Sequence, residues 1–282
     1  MAVLYGCCST YDTAYAAAAA QAEKEEERSM KAKILVAIVL LLTAVCVFCG
    51  HRYYEDIYIP GKQRKEAVKK QAEIIERIKP DTQVKPAGTA EVPLNPLVLC
   101  ENVNDDIVGW ISIPDTNIDL PVVQGEDNDF YLHNGVDGQY NYELGCPFLD
   151  YRCEADFTGL NSIVYAHNME GHLMFSDIDQ YKEKAFMQSH PTGILTLEDG
   201  EHNVRFFAYM TAKSTAPAYH AVFVSESEKK EYLEYILSDA NYTLLNDPNE
   251  IRDKTDLNLL LLTTCTFEYE DARGILFGII ER

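Results

Sequence analysis

Apolar and polar positions along this chain fall into three patterns. Ile34 to Gly50 (ILVAIVLLLTAVCVFCG) is an unbroken, uncharged run of 17 residues. Lys62 to Lys79 places Val68, Ala72, Ile75 and Ile78 near helical spacing and stops at Pro80. Residues 80–96 then hold four prolines and one glycine, which predicts an extended linker. From Leu97 onward the pattern shifts to short apolar segments. Ile111 and Ile113 alternate with polar neighbours, as do Ile118, Leu120 and Val122. Ser162–Tyr165, Ile194–Leu197, Asn203–Met210, Leu257–Thr264 and Gly274–Ile280 are further predicted strands. Asp199-Gly200 between two of them is a hairpin signal. Two helices interrupt: Tyr181–Gln188, behind a capping-box pattern Ser176-x-x-Asp179, and Ser225–Leu237, with Tyr232, Leu233 and Ile236 on one face. Many strands with few helices predict a mostly β fold, a barrel or sandwich with inserted helices.

The first apolar run reaches the lower limit for a spanning helix, which needs about 17–20 apolar residues. A core helix would carry a polar stripe, and this run has none. A cleaved signal peptide needs a small-residue site after a shorter core; Val45-Cys46-Val47 and Phe48-Cys49-Gly50 fit that badly. The run therefore predicts an uncleaved transmembrane signal anchor over 34–50. It is preceded by a tail, 1–33, and followed by a helical stalk and Pro-rich linker, 51–96, and a compact domain, 97–282. Lys24, Arg28, Lys31 and Lys33 before the span nearly balance Arg52, Lys62, Arg64 and Lys65 after it. Flanking charge thus leaves the orientation open.

Composition narrows the function classes. The chain has 24 Lys plus Arg against 45 Asp plus Glu, a net charge of −21. Phosphate contacts need basic residues, so nucleic acid is not an expected partner. Eight cysteines show no paired CxxC spacing of a zinc site. His172, His190, His202 and His220 lack metal-ligand spacing, and no EF-hand loop is present. No metal and no cofactor is expected. Cys146 and Cys153 flank a six-residue segment, and spacing leaves a disulfide between them open.

Three residues carry candidate chemistry. The strand Leu257–Leu262 runs into Thr263-Thr264-Cys265-Thr266, which puts a thiol at a strand end. Arg273 opens the next strand, and an antiparallel pairing would set it beside Cys265. Asn161–Ala166 is another predicted strand, ending in His167. A thiolate is the reactive form of cysteine and is favoured near His and Arg. Arginine also offers fixed donors to a developing oxyanion. Residues of these types fit a catalytic Cys–His pair, as in a cysteine protease, or a structural cysteine in an anchored non-enzymatic β-domain. A papain-like protease, however, would carry its Cys early, on a helix, with His downstream; a β-domain without chemistry would not need Cys265 and Arg273 together.

The local sequences go further. LLLLTTCTFEYEDARGILFG resembles the TLxTC…R signature of sortases, the membrane-anchored cysteine transpeptidases of Gram-positive bacteria, and SIVYAHNM resembles their histidine motif. LPVVQGEDNDFYLHN and GCPFLDYRC resemble segments of the class B branch. The resemblance covers roughly residues 97–282. It implies the closed eight-stranded sortase β-barrel with N-terminal helices and an inserted helix. Cys265 then matches the nucleophile, His167 the general acid/base and Arg273 the transition-state arginine. Asn128, Leu132, Tyr165, Thr215, Tyr219, Thr263 and Thr264 would line the groove for the substrate. Thr266 follows the cysteine where some members carry an acidic residue, so no third carboxylate is assigned. The implied partners are secreted proteins bearing a C-terminal sorting signal, cleaved after Thr, and an amino group of a peptidoglycan precursor. The implied location is the cell membrane, with the tail cytoplasmic and the catalytic domain outside.

Overall fold

The structure, a computed structural model, describes residues 8–80, 95–252 and 254–282. Positions 81–94 of the expected Pro-rich linker and 1–7 of the tail lie outside the described residues. Contacts divide the chain into two units, Met1–Lys62 and Gln63–Arg282.

In the first unit, helix α1 (Cys8–Tyr53) contains the whole apolar run and passes through a π-helical turn, Tyr54–Tyr58, into the start of α2 (Ile59–Ile78). By length and composition it is able to cross a membrane. The apolar side chains of residues 34–50 are exposed all round, Leu40 and Phe48 both at 64%.

The second unit begins with the rest of α2, whose Gln71 and Ile78 are buried. The short helix α3 (Val98–Glu101) follows. Next come strands β1 (Ile107–Ser112) and β2 (Asp119–Val123), the helical turn α4 (Phe130–His133), and strands β3 (Phe148–Leu149) and β4 (Asn161–Tyr165). A two-strand ribbon, β5 (Asn168–Met169) and β6 (Leu173–Met174), precedes α5 (Lys184–Ser189). The chain then forms β7 (Thr192–Leu197), β8 (Gly200–Lys213), α6 (Glu226–Asp239), β9 (Tyr242–Thr243), β10 (Leu259–Cys265) and β11 (Ala272–Glu281). Pairing runs β11-β10-β4-β3-β2-β1-β7-β8, and β8 pairs back onto β11. Eight strands therefore close into a barrel, with β9 appended to β8. Closure removes free edges, the hazard of an open sheet.

The pairing explains the sequence pattern. β10 lies between β4, which is parallel to it, and β11, which is antiparallel. Leu259 to Thr264 are all buried. A strand covered on both faces reads as a continuous apolar run rather than an alternation. β1 is different. Ile111 belongs to the main core with Leu195, Phe207, Leu261 and Leu276, whereas Trp110 packs in a second cluster with Ile78, Leu97, Tyr131 and Phe148. Adjacent side chains on one strand thus serve two cores, as the two-residue period requires.

Two local expectations are corrected. Ser176 does not cap a helix: it opens a 3₁₀ turn, Ser176–Lys182, ahead of α5. Its hydroxyl accepts from the Met169 N–H at 2.8 Å and lies 2.5 Å from the Leu173 carbonyl. Tying down the β5–β6 ribbon takes its hydrogen-bonding capacity. The hairpin turn is Glu198-Asp199, one residue earlier than expected, because Gly200 already pairs with Leu197. Gly200 has φ +135°, backbone that only glycine adopts readily. Ser225, by contrast, caps α6 by accepting from the Glu228 N–H at 3.2 Å, and Tyr232, Leu233 and Ile236 are its buried face.

Candidate active site

Strand register brings the three chemical candidates together. β4 and β10 run parallel with Tyr165 opposite Thr263. His167 lies two residues beyond Tyr165, and Cys265 two beyond Thr263, so both emerge at the same level of neighbouring strands. On the other side of β10, Cys265 is directly opposite Arg273 in the antiparallel pairing with β11. Side chains opposite each other across a sheet share a face. The Asn168 side chain donates to the Cys265 carbonyl at 2.8 Å, and buried Thr264 donates to the Ala166 carbonyl at 2.9 Å. These two cross-strand bonds fix the His167 and Cys265 strand ends against each other.

Cys265, His167 and Arg273 open into one cleft of about 730 Å³. Asn128, Leu132, Tyr165, Thr215, Tyr219, Thr263 and Thr264 line the same cleft. All ten residues singled out in the sequence are therefore brought to one site. The side chains of two of the three catalytic candidates have defined partners. His167 Nε2 is 2.9 Å from the Leu132 carbonyl. A carbonyl can only accept, so Nε2 carries a hydrogen, and in the neutral ring Nδ1 is left with the lone pair. Arg273 donates to the Ala272 carbonyl at 3.1 Å and its guanidinium lies 3.1 Å from an Asp271 carboxylate oxygen. Asp271 also accepts from the Ser214 backbone N–H at 3.2 Å and from its hydroxyl at 2.6 Å. Hydrogen bonds from Ser214 foremost, and then the Arg273 charge, hold the Asp271 carboxyl below its usual range.

The far wall is built on a residue that sequence reasoning missed. Asp150 is fully buried. It accepts from Arg152 Nε at 2.8 Å, Arg152 Nη2 at 2.7 Å, Asn128 Nδ2 at 2.9 Å and the Tyr165 hydroxyl at 3.0 Å. Burial opposes its ionisation, but these bonds outweigh it and keep the carboxyl below its ordinary value. Tyr165 in turn stacks between Phe148 and Tyr219, at 5.2 and 6.0 Å. Burial first, and the Asp150 charge second, push its phenol up. The Tyr219 hydroxyl bonds Thr263 Oγ1 at 2.9 Å, and burial pushes its phenol up to about 12. Both tyrosines stay neutral and act as aromatic wall. Arg152 also lines the cleft. The Asp-x-Arg spacing inside the apolar PFLDYRC segment was the available signal: a carboxylate following Phe148 and Leu149 off a strand must bring its own cation.

Three thiols of the same unit do not line this cleft. Cys100, Cys146 and Cys153 are buried and free, so the disulfide left open by the spacing is absent. Burial pushes the Cys100 and Cys153 thiols up to about 11 and raises Cys146 as well. Among the described residues, no group of His, Cys, Asp and Glu could hold a metal ion.

No protein-family model matches the chain. It is 31% identical to sortase B of Listeria monocytogenes over 182 residues, 63% of this chain and 71% of that relative. The chain belongs to the sortase B family. A sortase B structure from Clostridium perfringens superposes with a TM-score of 0.59 at 26% identity, covering 65% of this chain and 98% of that one. One from Bacillus anthracis, 23% identical, shares the fold at a TM-score of 0.65 over 78% of this chain and 99% of its own. The closed eight-stranded barrel with N-terminal helices is thus the sortase fold, and the protein is a sortase B-type cysteine transpeptidase. Cys265 is the free thiol that lines the cleft.

Proposed function

We propose that this sortase cleaves a C-terminal sorting signal of secreted proteins after Thr and joins the acyl group to an amino group of a peptidoglycan precursor. The observation that carries the reading is the shared cleft in which Cys265 faces Arg273 across β10–β11 while His167 lines the same wall. The Cys265 thiolate attacks the Thr carbonyl carbon. Negative charge grows on the carbonyl oxygen, where the Arg273 guanidinium offers donors with fixed geometry. His167 gives a proton to the departing amine as the C–N bond breaks, leaving a thioester on Cys265. An acceptor amine then attacks the thioester, His167 takes its proton, and the thiolate is released. Because Nε2–H is committed to the Leu132 carbonyl, Nδ1 is the nitrogen that exchanges this proton. The signal peptide lies along Asn128, Leu132, Tyr165, Thr215, Tyr219, Thr263 and Thr264.

The apolar run of α1 is read as a single membrane pass, with the catalytic domain outside, where substrates and acceptor are. The reading needs no cofactor. Its test is a transfer assay: a peptide containing a Pro-x-Thr-type signal plus an amine. The wild type should yield the peptide–amine product and a mass shift on Cys265 equal to the acyl fragment. Cys265→Ala should yield neither. Product formation by Cys265→Ala, or hydrolysis that never partitions to the amine, overturns the proposal.

A further inference from the structure

The partner that holds His167 is itself held by buried amides that none of the functional motifs include. Gln71, on α2, and Asn141 are 5% and 7% exposed. Asn141 Nδ2 donates to Gln71 Oε1 at 2.6 Å and to the Gly145 carbonyl at 3.0 Å. Gln71 Nε2 donates to the same Gly145 carbonyl at 3.1 Å, and Gly145 N–H donates to Asn141 Oδ1 at 3.0 Å. Both peptide groups of Gly145 are therefore fixed by side-chain amides.

Gly145 in turn abuts the histidine. It has φ +66°, and a Cβ there would lie 2.9 Å from the Leu132 and Tyr131 carbonyl oxygens and 3.1 Å from His167 Cδ2. The adjacent Cys146 N–H donates to the Tyr131 carbonyl at 3.1 Å. A glycine is thus required to let the 131–132 backbone and the imidazole edge approach the same point. The Leu132 carbonyl is the acceptor of His167 Nε2–H. The chain of contacts is continuous: α2 amide, Asn141, Gly145, then at once the ring edge and the carbonyl that orients it.

We propose that Gln71 and Asn141 are positioning residues for His167, fixing its tautomer and ring plane through Gly145 and the Leu132 carbonyl. This rests on the reading of His167 as the proton carrier. It gives helix α2 a role in the chemistry: a helix that precedes the barrel in sequence sets the geometry of a proton transfer. A group that orients a ring without touching substrate acts on the reacting step rather than on binding, so its loss should appear in kcat and not in KM.

The experiment uses the full chain in detergent micelles, with four variants: Gln71→Leu, Asn141→Leu, His167→Ala and, as a control, Lys70→Ala. Lys70 pairs with Asp137 at 2.8 Å, joining the same helix to the same loop without touching Gly145. Transfer kinetics are read beside the long-range ¹H–¹⁵N spectrum of the His167 ring. Wild type should show the Nε2–H tautomer. Gln71→Leu should lower kcat on the order of ten- to a hundredfold, with the peptide KM within about twofold, and should mix the tautomers. Lys70→Ala should change neither. Asn141→Leu should match or exceed Gln71→Leu; if it fails to fold, the milder Gln71→Leu decides. Wild-type kcat and an unchanged tautomer in Gln71→Leu overturn the proposal, as does an equal loss in Lys70→Ala. Transfer that survives His167→Ala sinks the functional reading instead, which separates the two failures.

Discussion

Replacing Asp150 with Asn tests whether the cleft wall hangs on one buried carboxylate. Oδ1 accepts from the Arg152 N–H at 3.0 Å and Nε at 2.8 Å, while Oδ2 accepts from Arg152 Nη2, Asn128 Nδ2 and the Tyr165 hydroxyl. An amide of the same shape keeps a single acceptor oxygen. Whichever way it points, at least two donors meet an NH₂ group. A stranded buried donor costs about 1–3 kcal/mol. The Arg152 side chain is 39% exposed and recovers part of its loss from water. The total is then about 2–4 kcal/mol. For a domain of this size each kcal/mol moves Tm by about 2–4 °C, so Asp150→Asn should lower Tm by about 5–15 °C at neutral pH.

The pH dependence has a definite sign. The Asp150 carboxyl is held below its unfolded value. Its contribution is therefore complete above the unfolded carboxylate pKa of about 3.9 and is lost as pH falls through the lower native value. Thermal melts of wild type and Asp150→Asn should differ by a constant amount from about pH 5 to 8, and the gap should close below about pH 4. The peptide KM should also rise, because Asn128 and Tyr165 line the cleft. A Tm within about 2 °C of wild type at pH 7, or a gap unchanged at pH 3, would refute the reasoning.

Arg273→Lys keeps the charge but loses the planar fork, and should lower kcat/KM in the peptide-transfer assay on the order of 10²-fold while Tm moves little; near-wild-type transfer would leave Arg273 as no more than the ion pair it forms with Asp271. Non-reducing peptide mapping should recover Cys146 and Cys153 as free thiols, and Cys265 should alkylate faster in the native protein than either, since both are buried with raised pKa; a linked Cys146–Cys153 peptide would contradict the geometry. Protease treatment of intact protoplasts should remove the catalytic domain; survival until lysis would reverse the proposed orientation.

What the sequence disclosed and what it hid follow from the range of the interactions involved. Cys265 and Arg273 were legible because a single hairpin relates them: eight residues apart on adjoining strands, they needed only an antiparallel pairing to meet. His167 was harder, since β4 joins β10 across nearly a hundred residues; only the family resemblance of the histidine and cysteine motifs linked the two residues, and the strand pairing itself went unread. The capped helix α6 was readable because Ser225 and its buried stripe are local. The capping pattern at Ser176 misled because its hydroxyl bonds the β5–β6 ribbon, a contact that the periodicity of the following residues does not register. Strands β3 and β9 have two residues each, too short to show any period. The amides of Gln71 and Asn141 were invisible for a related reason. A Gln on an amphipathic helix looks like a solvated residue until a partner seventy positions away buries it. The general consequence is that motif residues mark where the chemistry occurs, while the groups that orient them are drawn from whatever backbone the fold happens to bring alongside. Here that backbone is the 131–145 segment, pinned between α2 and the histidine, and no spacing rule along the chain could have connected Gln71 to His167.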